Sequence, residues 1–237
     1  MAGGSAATTA QARPGLLLAA ETRLGKSTST SALAVHRALT RPGAVVVAIA
    51  PTQRQAVEIV AKGREHLRGL GIKPVRDAQT TLVVPGGGRV VALPGTAGSV
   101  RGYAASLVLI DEAAWVAADC WTAVRPMVAA TNGDIIALST PNGQSGEFWR
   151  AWDGAAGSWW KVRVPWHESG RLSRQVIEEE RATLSADRFA AEYECEFTTS
   201  STSIIRPEWI ETAVATPVSD AQRAMADRLA EIMGQAA

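Results

Sequence analysis

Short apolar runs alternate along this chain with stretches of helical periodicity. Gly15 to Ala20 (GLLLAA), Ala44 to Ala50 (AVVVAIA), Leu107 to Ile110 (LVLI) and Asp134 to Ser139 (DIIALS) are too short for typical helices and suit buried parallel strands. Ser27 to Leu39 carries Ala32, Val35, His36 and Leu39 at helical spacing, and Arg41-Pro42-Gly43 stops it. Pro51-Thr52 breaks the second strand. Gln53 to Leu70 then reads as a helix with Ala56, Ile59, Val60 and Leu67 on one side, closed by Gly69 and Gly71. Thr80 to Val84 and Arg89 to Leu93 flank Pro85-Gly86-Gly87-Gly88 and predict a hairpin. Pro94 to Gly102 reads as a glycine-rich loop. Helices are predicted over Asp119 to Ala130, Gly146 to Trp152, Ser173 to Leu184 and Ala186 to Glu194, and a strand over Trp160 to Val164. Strands separated by helices predict an α/β fold, a mainly parallel central sheet with helices on both faces.

Composition narrows the class without naming it. The chain has 237 residues, 46% of them hydrophobic and 20% charged, enough for one domain with a large core plus extensions. Its 24 Lys and Arg nearly balance 23 Asp and Glu, so global charge carries no nucleic-acid signature. Cys120 and Cys195 have no metal or redox spacing, and His36, His66 and His167 are scattered, which argues against zinc. No run of about 18 apolar residues exists, so no membrane partner is expected and the expected location is cytoplasmic. The Ala, Gly, Ser and Thr-rich residues 1–12 read as a disordered tail. The folded domain is expected over 13–197 and a linker over 198–217. A helical tail is expected over 218–237, with Ala221, Met225, Leu229 and Ile232 on one face.

Candidate chemistry sits at strand ends. Asp111 and Glu112 close a buried strand, where two carboxylates cost desolvation energy unless a metal, a cation or water compensates. Leu24-Gly25-Lys26-Ser27-Thr28 follows the first strand and opens a helix, the setting in which backbone N–H groups attract phosphate oxygens. There Lys26 reaches phosphates and the Ser27 hydroxyl ligates magnesium. The pattern G-x-x-x-x-G-K-[ST] is imperfect, since Ala20 holds the place of the first glycine; the plainer reading is a helix start with an exposed lysine. Asp111 would hold magnesium and Glu112 would deprotonate the attacking water, against the plainer reading of acids stabilised by a helix dipole. Ser139-Thr140-Pro141 ends the next strand, where hydroxyls could sense a phosphate or form a simple turn. Arg23 and Arg101 are candidate cations for the charge of phosphoryl transfer; a solvated surface arginine is the alternative for each. Trp159, Trp160 and Trp166 lie near Lys161, Arg163 and Arg171; core packing is favoured over stacking on nucleic acid.

Several segments in order resemble the ATPase domain of the large terminase subunit of tailed bacteriophages and prophages. They are TRLGKST (22–28), VVVAIAPTQRQA (45–56), SVRGYAASLVLIDEAAWV (99–116), IIALSTPNGQSGEFWRAW (135–152) and FAAEYECEF (189–197). The resemblance runs from about Arg13 to Thr212. It implies an ASCE-type P-loop NTPase that binds ATP and Mg2+ and drives double-stranded DNA into a procapsid. By residue it implies phosphate binding at Gly25, Lys26, Ser27 and Thr28, magnesium at Ser27 and Asp111, the catalytic carboxylate at Glu112, and coupling at Ser139 and Thr140. It also implies a portal protein, a small terminase subunit and a homo-oligomeric ring as partners, in the bacterial host cytoplasm. Three departures stand out. The family's loop arginine, three places before the GKS glycine, is Thr22 here, with Arg23 one residue later. Gln11 is a weak stand-in for an adenine-contacting glutamine. The family's nuclease domain should begin near residue 215, so nuclease activity is not expected of these 237 residues. A non-catalytic prophage remnant and a helicase-like ATPase are the competing readings.

Overall fold

The computed structural model describes residues 15–21, 24–154, 159–198 and 228. Contacts divide the chain into two compact units, 1–200 and 201–237. Of the second, only Arg228 is described, as helical and exposed. The sequence-predicted tails over 1–12 and 218–237, Arg228 apart, and all but Thr198 of the expected linker over 198–217 therefore lie outside the described residues.

In the first unit the chain runs β1 (Gly15–Ala20), α1 (Lys26–Thr40), β2 (Val45–Ala50), α2 (Gln53–Gly69), β3 (Arg76–Ala78), β4 (Thr81–Val83) and β5 (Arg89–Pro94). It continues through α3 (Ala97–Val100), β6 (Leu107–Asp111), a 3-10 turn (Ala113–Trp115), α4 (Ala118–Ala129), β7 (Asp134–Ser139) and α5 (Gly146–Asp153). Last come β8 (Trp159–Val164), α6 (Trp166–Ser169), α7 (Arg174–Thr183) and α8 (Ala186–Glu192). The strands form one sheet in the order β3-β4-β5-β2-β6-β7-β1-β8. All pairings are parallel except β3–β4 and β4–β5, which are antiparallel.

The central strands are apolar throughout because both faces of the sheet are covered. On β2 and β6 alternate side chains divide between two cores. Val46, Ala48, Leu107 and Leu109 pack with Ala34, Val35 and Ala38 of α1 and Ile59, Val60 and Leu67 of α2. Val47, Ile49, Val108 and Ile110 face the other way, onto Trp121, Val124 and Met127 of α4 and Phe148 of α5. A smaller core of Ile177, Phe189 and Tyr193, with Trp166, Leu172 and Leu184, holds α6, α7 and α8 together.

Local chemistry fixes the element ends. Thr52 and Gln55 form a capping box at the start of α2, each side chain satisfying the other's backbone N–H. Ser173 and Ser185 cap α7 and α8. Arg37 of α1 donates to Asp134 at 2.7 Å and to the Ser106 carbonyl at 2.7 Å. That ties the first helix to the amino ends of β6 and β7. Four elements depart from the sequence-based reading, among them the 3-10 turn at Ala113–Trp115 and α6 at Trp166–Ser169. Ala97–Val100 is a single helical turn inside the expected loop, and Arg76–Ala78 is an extra edge strand.

Candidate active site

Parallel strands gather their carboxyl ends on one edge of the sheet, where ligands of open α/β folds sit. β1, β7 and β6 lie side by side there, with β7 in the middle. β1 runs into the fully buried Glu21, and Gly25 precedes α1 in the left-handed region at φ 86°. A side chain at Gly25 would be strained by that backbone, and its Cβ would lie 3.1 Å from a guanidinium nitrogen of Arg171. Thr28 and Ser29 N–H groups close back onto the Gly25 carbonyl at 3.0 and 3.1 Å.

Lys26 is buried, and its ammonium donates to the carbonyls of Ala20 at 3.3 Å and Glu21 at 3.0 Å. Ser27 Oγ donates to Asp111 Oδ2 at 2.7 Å. The other Asp111 oxygen accepts the Glu112 N–H at 3.1 Å. Thr28 is exposed; its carbonyl accepts from Ser31 Oγ at 2.8 Å and stands 3.3 Å from His66 Nε2.

Glu112 occupies the left-handed region at φ 49°, ψ 46°, a conformation a glutamate adopts at a cost and holds only where neighbours fix it. The fixing contacts are the 3-10 turn after it and Ser139. Ser139 is fully buried at the end of β7; its hydroxyl accepts the Ala114 N–H at 3.3 Å and donates to Glu112 Oε2 at 3.4 Å. Burial raises the Glu112 carboxyl above its ordinary 4.5, helped by the Asp111 and Glu192 charges and opposed by Lys26 and the Ser139 hydrogen bond. Thr140 follows, also buried. A cleft of about 340 Å³ beside Glu112 is lined by Pro51, Gln55 and the exposed Trp115.

Ser27, Asp111, Glu112, Lys26 and Ser139 are thus brought together. Arg101 is not part of that group. It caps α3, is exposed, and lines a different cleft with Tyr103, Thr122 and Met127. Arg23 lies outside the described residues. Of the tryptophans, Trp159 packs edge-on against Trp121 with Arg125 near its face, and Trp166 joins the small helical core. Trp160 is 70% exposed, against the expectation of core packing. Arg171 and Glu192 were not singled out as site residues from the sequence. Both come from the helical segment after β8, and nothing in the local pattern ties them to Gly25 or Glu112.

The donors suit a hard divalent cation. A hydroxyl and a carboxylate oxygen, both hard ligands, meet at 2.7 Å between Ser27 and Asp111. Among the described residues no group of three or more His, Cys, Asp and Glu could hold a metal by itself.

A phosphate-type loop after β1, an acidic pair after β6 and an added strand between them define an ASCE-type P-loop NTPase fold. The family described as "Terminase large subunit, T4likevirus-type, N-terminal" matches residues 18–212. The chain belongs to that family and has its ATPase-domain fold. The large terminase ATPase domain of Thermus phage P74-26 superposes with a TM-score of 0.61 at 22% identity, covering 77% of this chain and 88% of that one. The large terminase of a thermophilic bacteriophage gives 0.66 at 12% identity, over 78% of this chain and 49% of that one. The bacteriophage HK97 large terminase gives 0.61 at 12% identity, over 76% and 46%. The chain therefore spans about half the length of the latter two proteins. No curated protein matches it.

Proposed function

We propose that this chain is the Mg-dependent ATP-hydrolysing motor domain of a phage large terminase, coupling hydrolysis to translocation of double-stranded DNA into a procapsid. The observation that carries the reading is the Ser27–Asp111 contact beside Glu112, with Glu112 held by Ser139. Structures of the thermophilic phage's large terminase with ADP and with ATP-gamma-S support a nucleotide ligand.

In this reading Gly25, Lys26, Ser27 and Thr28 bind the phosphates through N–H groups, the ammonium and the helix N-terminus. Ser27 and Asp111 would hold magnesium, which would supply charge neutralisation at the phosphates. Glu112 takes a proton from water as the water oxygen bonds to the γ phosphorus and the bond to the ADP oxygen breaks. Its raised pKa strengthens it as a base, provided that the pH keeps it ionised. Ser139 orients Glu112 and, with Thr140, passes the state of that carboxylate to β7 and the chain beyond. Arg23 and Arg101 are the candidate cations for the transition state; Arg101, turned to another cleft, would act from one subunit of a ring upon its neighbour.

The partners in this proposal are DNA, a portal protein on the procapsid, a small terminase subunit and further copies of the chain, in the host cytoplasm. In this reading residues 13–197 form the motor. The test is ATP hydrolysis by the purified chain with and without double-stranded DNA, beside Lys26→Ala and Glu112→Gln. Hydrolysis that DNA stimulates and both substitutions abolish is expected. Parent-level hydrolysis in Glu112→Gln would remove Glu112 as the base.

A further inference from the structure

Arg171 lies about 150 positions after the phosphate loop in sequence, yet its guanidinium rests against Gly25. A Cβ built on that glycine would meet Nη1 at 3.1 Å and the guanidinium carbon at 3.7 Å. The turn between α6 and α7 aims it there. Gly170 takes a left-handed φ of 62°, and the Arg171 N–H donates to Ser169 Oγ at 3.4 Å.

Arg37, Arg64, Arg150, Arg163 and Arg181 each pair with a carboxylate. Among the described residues Arg171 pairs with none. It stands instead beside a loop that already carries the Lys26 ammonium. The N-terminus of the 15-residue α1, which begins directly after Gly25, adds partial positive charge beside that guanidinium. An anion with several oxygens is attracted to both, and a planar guanidinium suits phosphate oxygens in pairs.

We propose that Arg171 binds the phosphate chain of the nucleotide held by the Gly25–Thr28 loop, as a second cation supplied in cis from the α6–α8 segment. This rests on the reading of that loop as a nucleotide site. The contact links α6, α7 and α8, which share their own small core, to the occupancy of a loop on the central sheet. It also adds to the reasons why residue 25 is glycine: a side chain there would push the guanidinium away.

The test is calorimetric titration of ATP-gamma-S with magnesium into the full 237-residue chain, which reads binding without turnover. Arg171→Ala is expected to weaken binding roughly tenfold or more, the loss of a hydrogen bond to a charged group. Arg171→Lys should recover part of that loss. Arg174→Ala, which removes a neighbouring exposed cation, should stay within about twofold of the parent. Because Arg171 is exposed, the melting temperature of Arg171→Ala without nucleotide should equal the parent's. Parent-level binding by Arg171→Ala, an equal loss in Arg174→Ala, or a melting temperature several degrees lower would each overturn the proposal. Lys26→Ala separates the two levels. If Lys26→Ala loses binding and Arg171→Ala does not, only the Arg171 assignment fails. If Lys26→Ala binds as the parent does, the loop reading fails with it.

Discussion

The Ser27 hydroxyl donates a 2.7 Å hydrogen bond to the carboxylate of Asp111, 84 positions later in the chain and two strands away in the sheet. The contact joins the first turn of α1 to the end of β6 over the end of β7. It brings together the two protein oxygens that a magnesium–nucleotide complex would use, and it gives the first prediction. Ser27→Ala removes the hydroxyl and leaves Asp111 with the Glu112 N–H as its remaining hydrogen bond. Hydrolysis should fall by an order of magnitude or more, about the cost of a charge-assisted contact. Ser27→Thr, which keeps the hydroxyl, should retain most of the rate. Equal rates for the alanine and threonine variants would rule out a role for that oxygen.

Glu112 makes pH a probe of the site. Burial raises its carboxyl in the folded chain, so folding favours the protonated form. The stability this contributes is complete below the carboxylate's unfolded pKa and is lost as pH rises through the higher folded value. Above that window the fold carries a buried charge. Glu112→Gln, neutral at every pH, should therefore melt above the parent at pH 8, with the gap closing toward pH 4. In the parent, hydrolysis should fall on acidification at a pH above the ordinary carboxylate range. Parallel melting curves for the two proteins from pH 4 to 8 would contradict the assignment.

Arg37 tests a contact remote from the chemistry. Its bonds to Asp134 and the Ser106 carbonyl are mostly buried, with 15% of the Arg37 side chain exposed. Arg37→Ala should cost about 2 kcal/mol, the scale of hydrogen bonds to a charged group. For a domain of this size that is a fall of roughly 4–8 °C in melting temperature. A shift of less than a degree would show that water replaces both partners freely.

The cysteines should be inert while the chain is folded. Burial pushes the Cys120 thiol up to about 11 and the Cys195 thiol up to about 12, and both are free. Thiolate is the reactive form, so alkylation at pH 8 should be slow in buffer and fast in denaturant. Rapid labelling of the folded protein would mean that one of these sites opens readily.

Much of this architecture is legible in the sequence, for particular reasons. β1, β2, β6 and β7 are apolar runs bounded by polar or turn residues, and burial on both faces writes that pattern. The ends of those strands carry Lys26, Ser27, Asp111, Glu112 and Ser139, so a correct strand reading also locates these residues on one edge. β3 is harder: Arg76-Asp77-Ala78 has no apolar alternation and is strand only because it pairs with β4. α3 is hidden by Pro94, Gly95 and Gly98, which read as loop, although Thr96 and Ser99 bond to each other across its first turn at 2.8 Å. Arg171 and Glu192 are illegible for a different reason. Their place is set by how α6, α7 and α8 return over the sheet edge, a tertiary fact with no local period.

β7 is hydrogen-bonded along both sides, to β1 over Ile136 to Ser139 and to β6 over Asp134 to Leu138. It cannot slide without breaking two ladders at once, and Ser139 at its tip shares that immobility. Glu112 is therefore mounted against a strand held from both sides, as work is clamped to the bed of a lathe. Any stroke this chain delivers has to be made by parts hung from the bed. One point of attachment is doubly used: the Val164 carbonyl, at the end of β8, receives both the Glu21 N–H at 3.1 Å and the Cys195 thiol at 3.3 Å. One carbonyl thus serves as a shared bearing between the loop that would grip phosphate and the helical arm that follows.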